Sequence, residues 1–271
     1  MSIYDSAENI RKKALKMALH AGKAGSHVGG SFSCLEILAV LYGVVMNYDL
    51  NNKGWEERDR FIASKAHCIL THYATLAEFG FIDEEALDSF HENDGLLAGH
   101  PMGTDIGMEF SGGSLGMGIS LGIGMAVAAV CRKQKQCIYV LLGDGECNEG
   151  EVWEAFMSAS QFHLSNLTVI IDYNNMQFDG ANEEVMSVMP LEDKLKAFGW
   201  TAVSCDGHNI EDLQKAFSTE HDGKPLAIIA HTIKANGIEK YENTPESHHC
   251  AISENDYAEA LKWMEQNHDR V

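Results

Sequence analysis

Apolar residues recur at Ile10, Ala14, Met17, Ala18 and Ala21, the spacing of one helical face. Asp5 with Glu8 three residues on reads as a capping pair, and Gly22 suits the position where a helix exits left-handed. The chain is therefore expected to open with an amphipathic helix. Ser33 and Glu36 form a second candidate capping box ahead of LEILAVLYGVVM, a run apolar on every side that predicts a helix in the middle of the domain. The most apolar stretch, Ser114 to Val130, is broken by four glycines and two serines and falls short of a membrane span. It predicts a buried helix whose glycines permit close packing, because they do not follow a strand as a dinucleotide loop requires.

From Cys137 onward the pattern alternates. Strand-like runs CIYVLL, LTVIID, TAVSC and LAIIAHTI are separated by helical runs near 151–163, 190–198 and 210–218. Strands this apolar are expected to be buried on both faces. The alternation predicts an α/β fold, a doubly wound, mostly parallel sheet with helices on both faces and a ligand site outside the carboxyl ends of the strands. No linker, repeat or change of composition divides the chain, so residues 1–271 read as a single domain.

Charge and cysteine content narrow the function classes. The 271 residues carry 40 acidic against 20 basic side chains, a net charge of -20, so polyanions are repelled and neither nucleic acid nor a membrane is an expected partner. The seven cysteines form no Cys-x-x-Cys pair and suggest reduced thiols, mostly in the core. Asp5, Glu8, Arg11, Lys12 and Lys13 break up the first twenty residues, which are neither a signal peptide nor an anchor. A cytoplasmic location is the expectation.

Chemistry concentrates where the run CIYVLL ends and continues Gly143, Asp144, Gly145, Glu146 before a helix. A glycine turn lets a ligand approach the backbone, free amides at the helix start favour phosphate, and an Asp there is a hard ligand for Mg²⁺. Asp-Gly also occurs at 94, 179, 206 and 222, where turn chemistry suffices, so the tripeptide alone says little. The next strand runs into Tyr173, Asn174 and Asn175, which puts a second oxygen donor at a neighbouring strand end. Mg²⁺ accepts such a partial oxygen set when phosphates supply the rest.

Gly-Asp-Gly followed after residues 146–173 by Asn-Asn resembles the thiamine diphosphate enzymes. GSHVGGS around His27, RDRFIASKAH ending at His67, GHP at His100, FSGGSLGMG at 110–118, then GEVWEA, MQFDG and PESHH narrow the resemblance to transketolases, over nearly the whole chain. It implies thiamine diphosphate and Mg²⁺ as cofactors, with Ca²⁺ or Mn²⁺ as substitutes for the metal. Asp144, Asn174 and the carbonyl of Met176 would hold the metal, with Gly145 admitting the diphosphate. His67 and His248 would contact the diphosphate side, and Gly113, Ser114 and Leu115 the aminopyrimidine. His27, His100 and His248 would face a sugar or sugar phosphate, where imidazoles suit the removal and return of hydroxyl protons near neutral pH.

Three positions depart from the family pattern, Ala66 for Gly, Gly112 for Thr and Ser247 for Trp, and the last leaves His248 and His249 adjacent, with register against Glu246 favouring His248. The histidines at 20, 91, 163, 208 and 221 read as ordinary surface or core residues.

The resemblance further implies that the pyrimidine-binding domain, with its catalytic glutamate and phosphate-gripping arginines, belongs to a separate C-terminal transketolase subunit, near Glu149, in an α₂β₂ heterotetramer. A 2-oxo acid decarboxylase or dehydrogenase component would keep the Gly-Asp-Gly and Asn-Asn pair but not the histidines at 27, 67 and 100. A non-catalytic homologue would have no use for Asp144, Asn174 and the motif histidines.

Overall fold

The computed structural model describes residues 2–52, 54–102 and 107–267; Val271, the end of the expected domain, lies outside them. Helix α1 (Ile3–His20) turns Ile10, Ala14, Met17 and Ala18 inward as the spacing requires. Its cap differs from the expected one: Ser2 is the N-cap and Asp5 closes the box as its N3 partner, because the Ser2 hydroxyl accepts from the Asp5 amide while Asp5 reaches back to the Ser2 amide. Gly22 exits left-handed at φ 55°.

Short helices α2 (Val28–Phe32) and α3 (Leu35–Val40) follow, and α3 is fully buried. The expected Ser33–Glu36 capping box does not form. Cys34 occupies the cap without a side-chain bond, Ser33 instead donates to Asp172, and Glu36 pairs with Arg11 and His208. A fully buried carboxylate needs ionic and hydrogen-bonding partners more than a helix needs a cap.

Strand β1 (Arg60–Ala63) escaped the sequence pattern, being four residues long and opening on charge. After α4 (Ile69–Glu78) and α5 (Met117–Arg132) come β2 (Ile138–Gly143), α6 (Gly150–Gln161) and β3 (Leu167–Tyr173). A two-stranded antiparallel pair, β4 (Met176–Gln177) and β5 (Gly180–Ala181), leads through α7 (Asn182–Val185) and α8 (Leu191–Ala197) to β6 (Thr201–Asp206). Then α9 (Ile210–Phe217), β7 (Leu226–His231) and α10 (Glu254–Gln266) complete the described chain.

The main sheet has the order β1-β2-β3-β7-β6 and is parallel throughout. Alternation along its strands divides the core in two, as period-two side chains must. Val140, Leu142, Val169, Ile171 and Ile229 face α5, α6 and α8, whereas Tyr139, Leu141, Ile170, Ile228 and Ala230 face α1, α3, α4 and α9. Helices therefore cover both faces. Burial on both faces holds for β2, β3 and β7; β6 is the sheet edge, and its Ser204 and Asp206 are exposed.

The stretch at 114–130 also departs from its expectation. Helix α5 starts at Met117 and is buried along one side only, leaving Met117, Leu121 and Val130 exposed. Its glycines do permit close packing, against strands: a Cβ at Gly118 would lie 2.6 Å from Ser64, and one at Gly122 2.6 Å from Val140.

Candidate active site

The parallel register sets Gly143 level with Asp172 and Asp172 level with Ala230, so the segments leaving β2, β3 and β7 emerge side by side at the carboxyl edge. Asp144 is the first residue beyond β2 and is buried. Its two carboxylate oxygens accept one backbone amide each, from Gly145 at 2.8 Å and Asn175 at 2.6 Å. Burial, with the charge of nearby Asp172, pushes its pKa up to about 6. Asn174 turns Oδ1 onto the Met176 amide at 3.1 Å, and the Met176 carbonyl accepts from Lys234 Nζ at 3.3 Å.

This all-oxygen set fits a hard cation: a costly buried carboxylate, an amide oxygen and a carbonyl that has already drawn an ammonium. Among the described residues no three His, Cys, Asp or Glu side chains converge on a metal site. A cation here therefore depends on Asn and backbone oxygens and on oxygens a ligand brings. Gly145 packs against this set, since a Cβ there would fall 2.9 Å from that of Gln177.

Facing the oxygen set stand imidazoles. His27 lies between His67, His100, His248 and His249, with ring centroids at 5.6, 5.3, 5.5 and 4.8 Å, and His67 meets His248 at 5.2 Å. A two-bond bridge between Ser26 and Cys250 brings these distant segments together. Burial, reinforced by the neighbouring imidazoles, lowers His27 to about 3. Burial with Lys234 and Lys65 lowers His248 to about 4, and burial with Lys65 holds His67 well below its ordinary value. These rings are neutral at pH 7. Gly29 and Gly30 let α2 approach: a Cβ at Gly29 would lie 2.6 Å from Ser247 Oγ, and one at Gly30 2.8 Å from the His67 ring.

Lys65 and Lys234, present in the RDRFIASKAH and Thr-Ile-Lys segments but given no role from the sequence, sit between the two groups. Lys234 is buried and its pKa falls to about 8, through burial and then Lys65, while Asp144 and Asp172 pull the other way. Lys65 is neutralised by Asp172, which leaves the Lys234 ammonium as the charge this side of the cleft offers an anionic ligand. The chain signal was available, a charged residue closing an apolar strand segment in each case.

Gly113 stands against His100, a Cβ there lying 3.1 Å from the ring, while Ser114 and Leu115 are exposed at the lip. Buried Glu146 fixes that lip, accepting from Gly116 N at 2.8 Å, Gly143 N at 3.0 Å and the Ser64 hydroxyl. Glu149 is exposed beside it. His249 joins the cluster as well as His248; only His248 also touches His67 and Phe178. His208 has structural partners, its Nδ1 lying 2.8 Å from buried Glu36 and its Nε2 accepting from Ile233 N. It lines a cavity of about 960 Å³ at the ends of β6 and β7, away from the histidine cluster.

Residues 5–269 match the family model described as transketolase, thiamine diphosphate binding domain. The chain is 38% identical to one chain of the apulose-4-phosphate transketolase of Phocaeicola vulgatus, covering 98% of this chain and 94% of that one. It is 39% identical to a 6-deoxy-6-sulfo-D-fructose transketolase subunit of a Clostridium species, over 98% and 97%. Human transketolase is 35% identical over 94% of this chain, which spans only 40% of that protein. The solved transketolase of Campylobacter jejuni superposes with a TM-score of 0.88 at 28% identity, over 97% of this chain and 42% of its own.

Proposed function

Since the chain belongs to the transketolase family through its thiamine diphosphate binding domain, we propose that it is the cofactor-holding half of a two-chain enzyme that moves a two-carbon ketol unit from a ketose to an aldose. The observation that carries this reading is the meeting of the buried oxygen set around Asp144 with the neutral imidazoles around His27, across Lys65 and Lys234. Asp144, Asn174 and the Met176 carbonyl hold Mg²⁺, and Gly145, His67 and Lys234 admit the diphosphate. Gly113, Ser114 and Leu115 meet the aminopyrimidine. When bound, thiamine diphosphate supplies the carbon nucleophile that the protein lacks.

The protein's own groups handle protons and orientation. The neutral rings of His27 and His248, with His100 beside them, accept hydrogen bonds from the sugar's hydroxyls and orient them for proton transfer. Relatives that act on apulose 4-phosphate and on a sulfonated deoxyfructose support a ketose donor with an anionic far end, gripped by the second chain. That second chain has a surface to seat on: Leu115, Met117 and Leu121 are exposed beside the lip of the cleft, and Phe178 lies 66% exposed over His248. An α₂β₂ assembly follows if two such pairs associate. Seven unpaired cysteines support a reducing, cytoplasmic setting.

Co-expression with a pyrimidine-domain chain, followed by assay of ketol transfer with thiamine diphosphate and Mg²⁺, tests the proposal. Activity of the mixture and of neither chain alone is expected. Activity of this chain alone sinks the two-chain reading, and a cofactor-loaded pair that decarboxylates pyruvate instead sinks ketol transfer.

A further inference from the structure

Asp172 ends the pairing of β3 with β2, two residues before Asn174, and its side chain is wholly buried. Four elements meet on it. Oδ2 accepts from Ser33 Oγ at 2.5 Å, from Lys65 Nζ, and from Asn174 Nδ2 at 3.3 Å, while Oδ1 accepts from Thr232 Oγ1. The Lys65 ammonium closes a buried ion pair with Oδ2, and neither side chain of the pair reaches solvent.

Paired with the Lys65 ammonium and facing a donor at each of these contacts, the Asp172 carboxylate serves as an acceptor. Asn174 can therefore face Asp172 in one sense alone, with Nδ2 toward the carboxylate and Oδ1 away from it, at the turn where the Met176 amide donates at 3.1 Å. The opposite flip sets a carbonyl oxygen against a negative oxygen. Asp172 itself is engaged by four side-chain donors, whereas each Asp144 oxygen holds a single amide. The two carboxylates thus differ in function although they close neighbouring strands.

We propose that Asp172 is a positioning residue of the metal site, fixing the Asn174 amide so that its carbonyl oxygen is presented to Mg²⁺, with Lys65 neutralising the charge this requires. The inference rests on the reading of Asp144, Asn174 and Met176 as the metal's ligands. Residues that orient ligands in this way change metal affinity by about 10- to 100-fold when removed.

The test replaces the buried ion pair by apolar groups of similar size, which preserves folding better than leaving one charge unpaired. In Lys65→Met/Asp172→Leu the acceptor is gone; in Lys65→Met/Asp172→Asn an amide oxygen restores it. Mg²⁺-dependent binding of thiamine diphosphate is measured by calorimetry on the full chain, beside thermal unfolding. The Leu variant is expected to bind about 10- to 100-fold more weakly at a near wild-type melting temperature, and the Asn variant to recover most of the loss. Wild-type affinity in the Leu variant, or equal losses in both, overturns the proposal. A wild-type chain that binds no cofactor at all removes the functional reading and this inference with it.

If the Leu variant does not fold, the wild type decides. The Asn174 side-chain amide protons, observed by NMR in asparagine-labelled protein, are expected to exchange slowly both before and after loading. Rapid exchange, or a flip on adding Mg²⁺ and cofactor, is the contrary result.

Discussion

Two regions of one cleft solve opposite electrostatic problems. Around Asp144, Asp172, Lys65 and Lys234 the charges are fixed, buried and tied to specific donors. Around His27, His67 and His248 the rings touch one another with few hydrogen bonds, and His248 Nδ1 is buried without a partner among the described residues. The first region is prepared for groups that keep their charge, a cation and an anion. The second is kept neutral by burial, so at pH 7 its rings present unprotonated nitrogens to a sugar hydroxyl. One environment does not serve both, because the burial that keeps the rings neutral would also neutralise an ion left without a partner.

The contrast can be broken from either side. The largest effect is expected from Asp144→Ala, which removes the carboxylate that has acceptor capacity to spare. Mg²⁺-dependent cofactor affinity should fall by about 100-fold or more in calorimetry, leaving the imidazole cluster intact. On the other side, His27→Ala or His248→Ala should lower kcat/KM for ketol transfer by about 10²- to 10⁴-fold in the reconstituted pair, the size of a lost acid–base group. For His27, cofactor affinity should stay near wild type; equal loss of both would erase the distinction between the regions.

Lys234→Met, at the junction, is expected to weaken cofactor binding by roughly 10-fold, as the loss of one charge-assisted contact does. It should also raise the His248 pKa, measurable by NMR titration, because Lys234 is the foremost charge depressing it. The smallest effect concerns pH and stability. His27 and His248 have folded pKa values near 3 and 4 against about 6.5 when unfolded. Between these limits the unfolded chain binds more protons, so the stability they confer is complete above about pH 6.5 and is lost as pH falls toward 3. The melting temperature should drop across that window, and His27→Gln should make the drop shallower.

Much of the architecture was legible because it follows from local pattern. The uniformly apolar runs at 138–143, 167–173 and 226–231 became central parallel strands, and their ends carried Asp144 and Asn174 to one edge. The histidines at 27, 67, 100 and 248 were legible only as motif members, since nothing in their spacing says that they meet. The Ser33–Glu36 box failed for a physical reason: Ser33 and Glu36 answer to Asp172, Arg11 and His208, far away in sequence.

By itself the sequence determined the alternation of strands and helices, the edge at which ligands collect and the residue types available there, because hydrophobic period and turn chemistry are local properties. Only the tertiary structure decided which carboxylate is saturated and which is open, that Lys65 and Lys234 stand between oxygen set and imidazoles, and that one side of α5 stays bare. Those outcomes depend on burial and on partners scores of residues apart, where desolvation turns a charge or a ring into a tuned group.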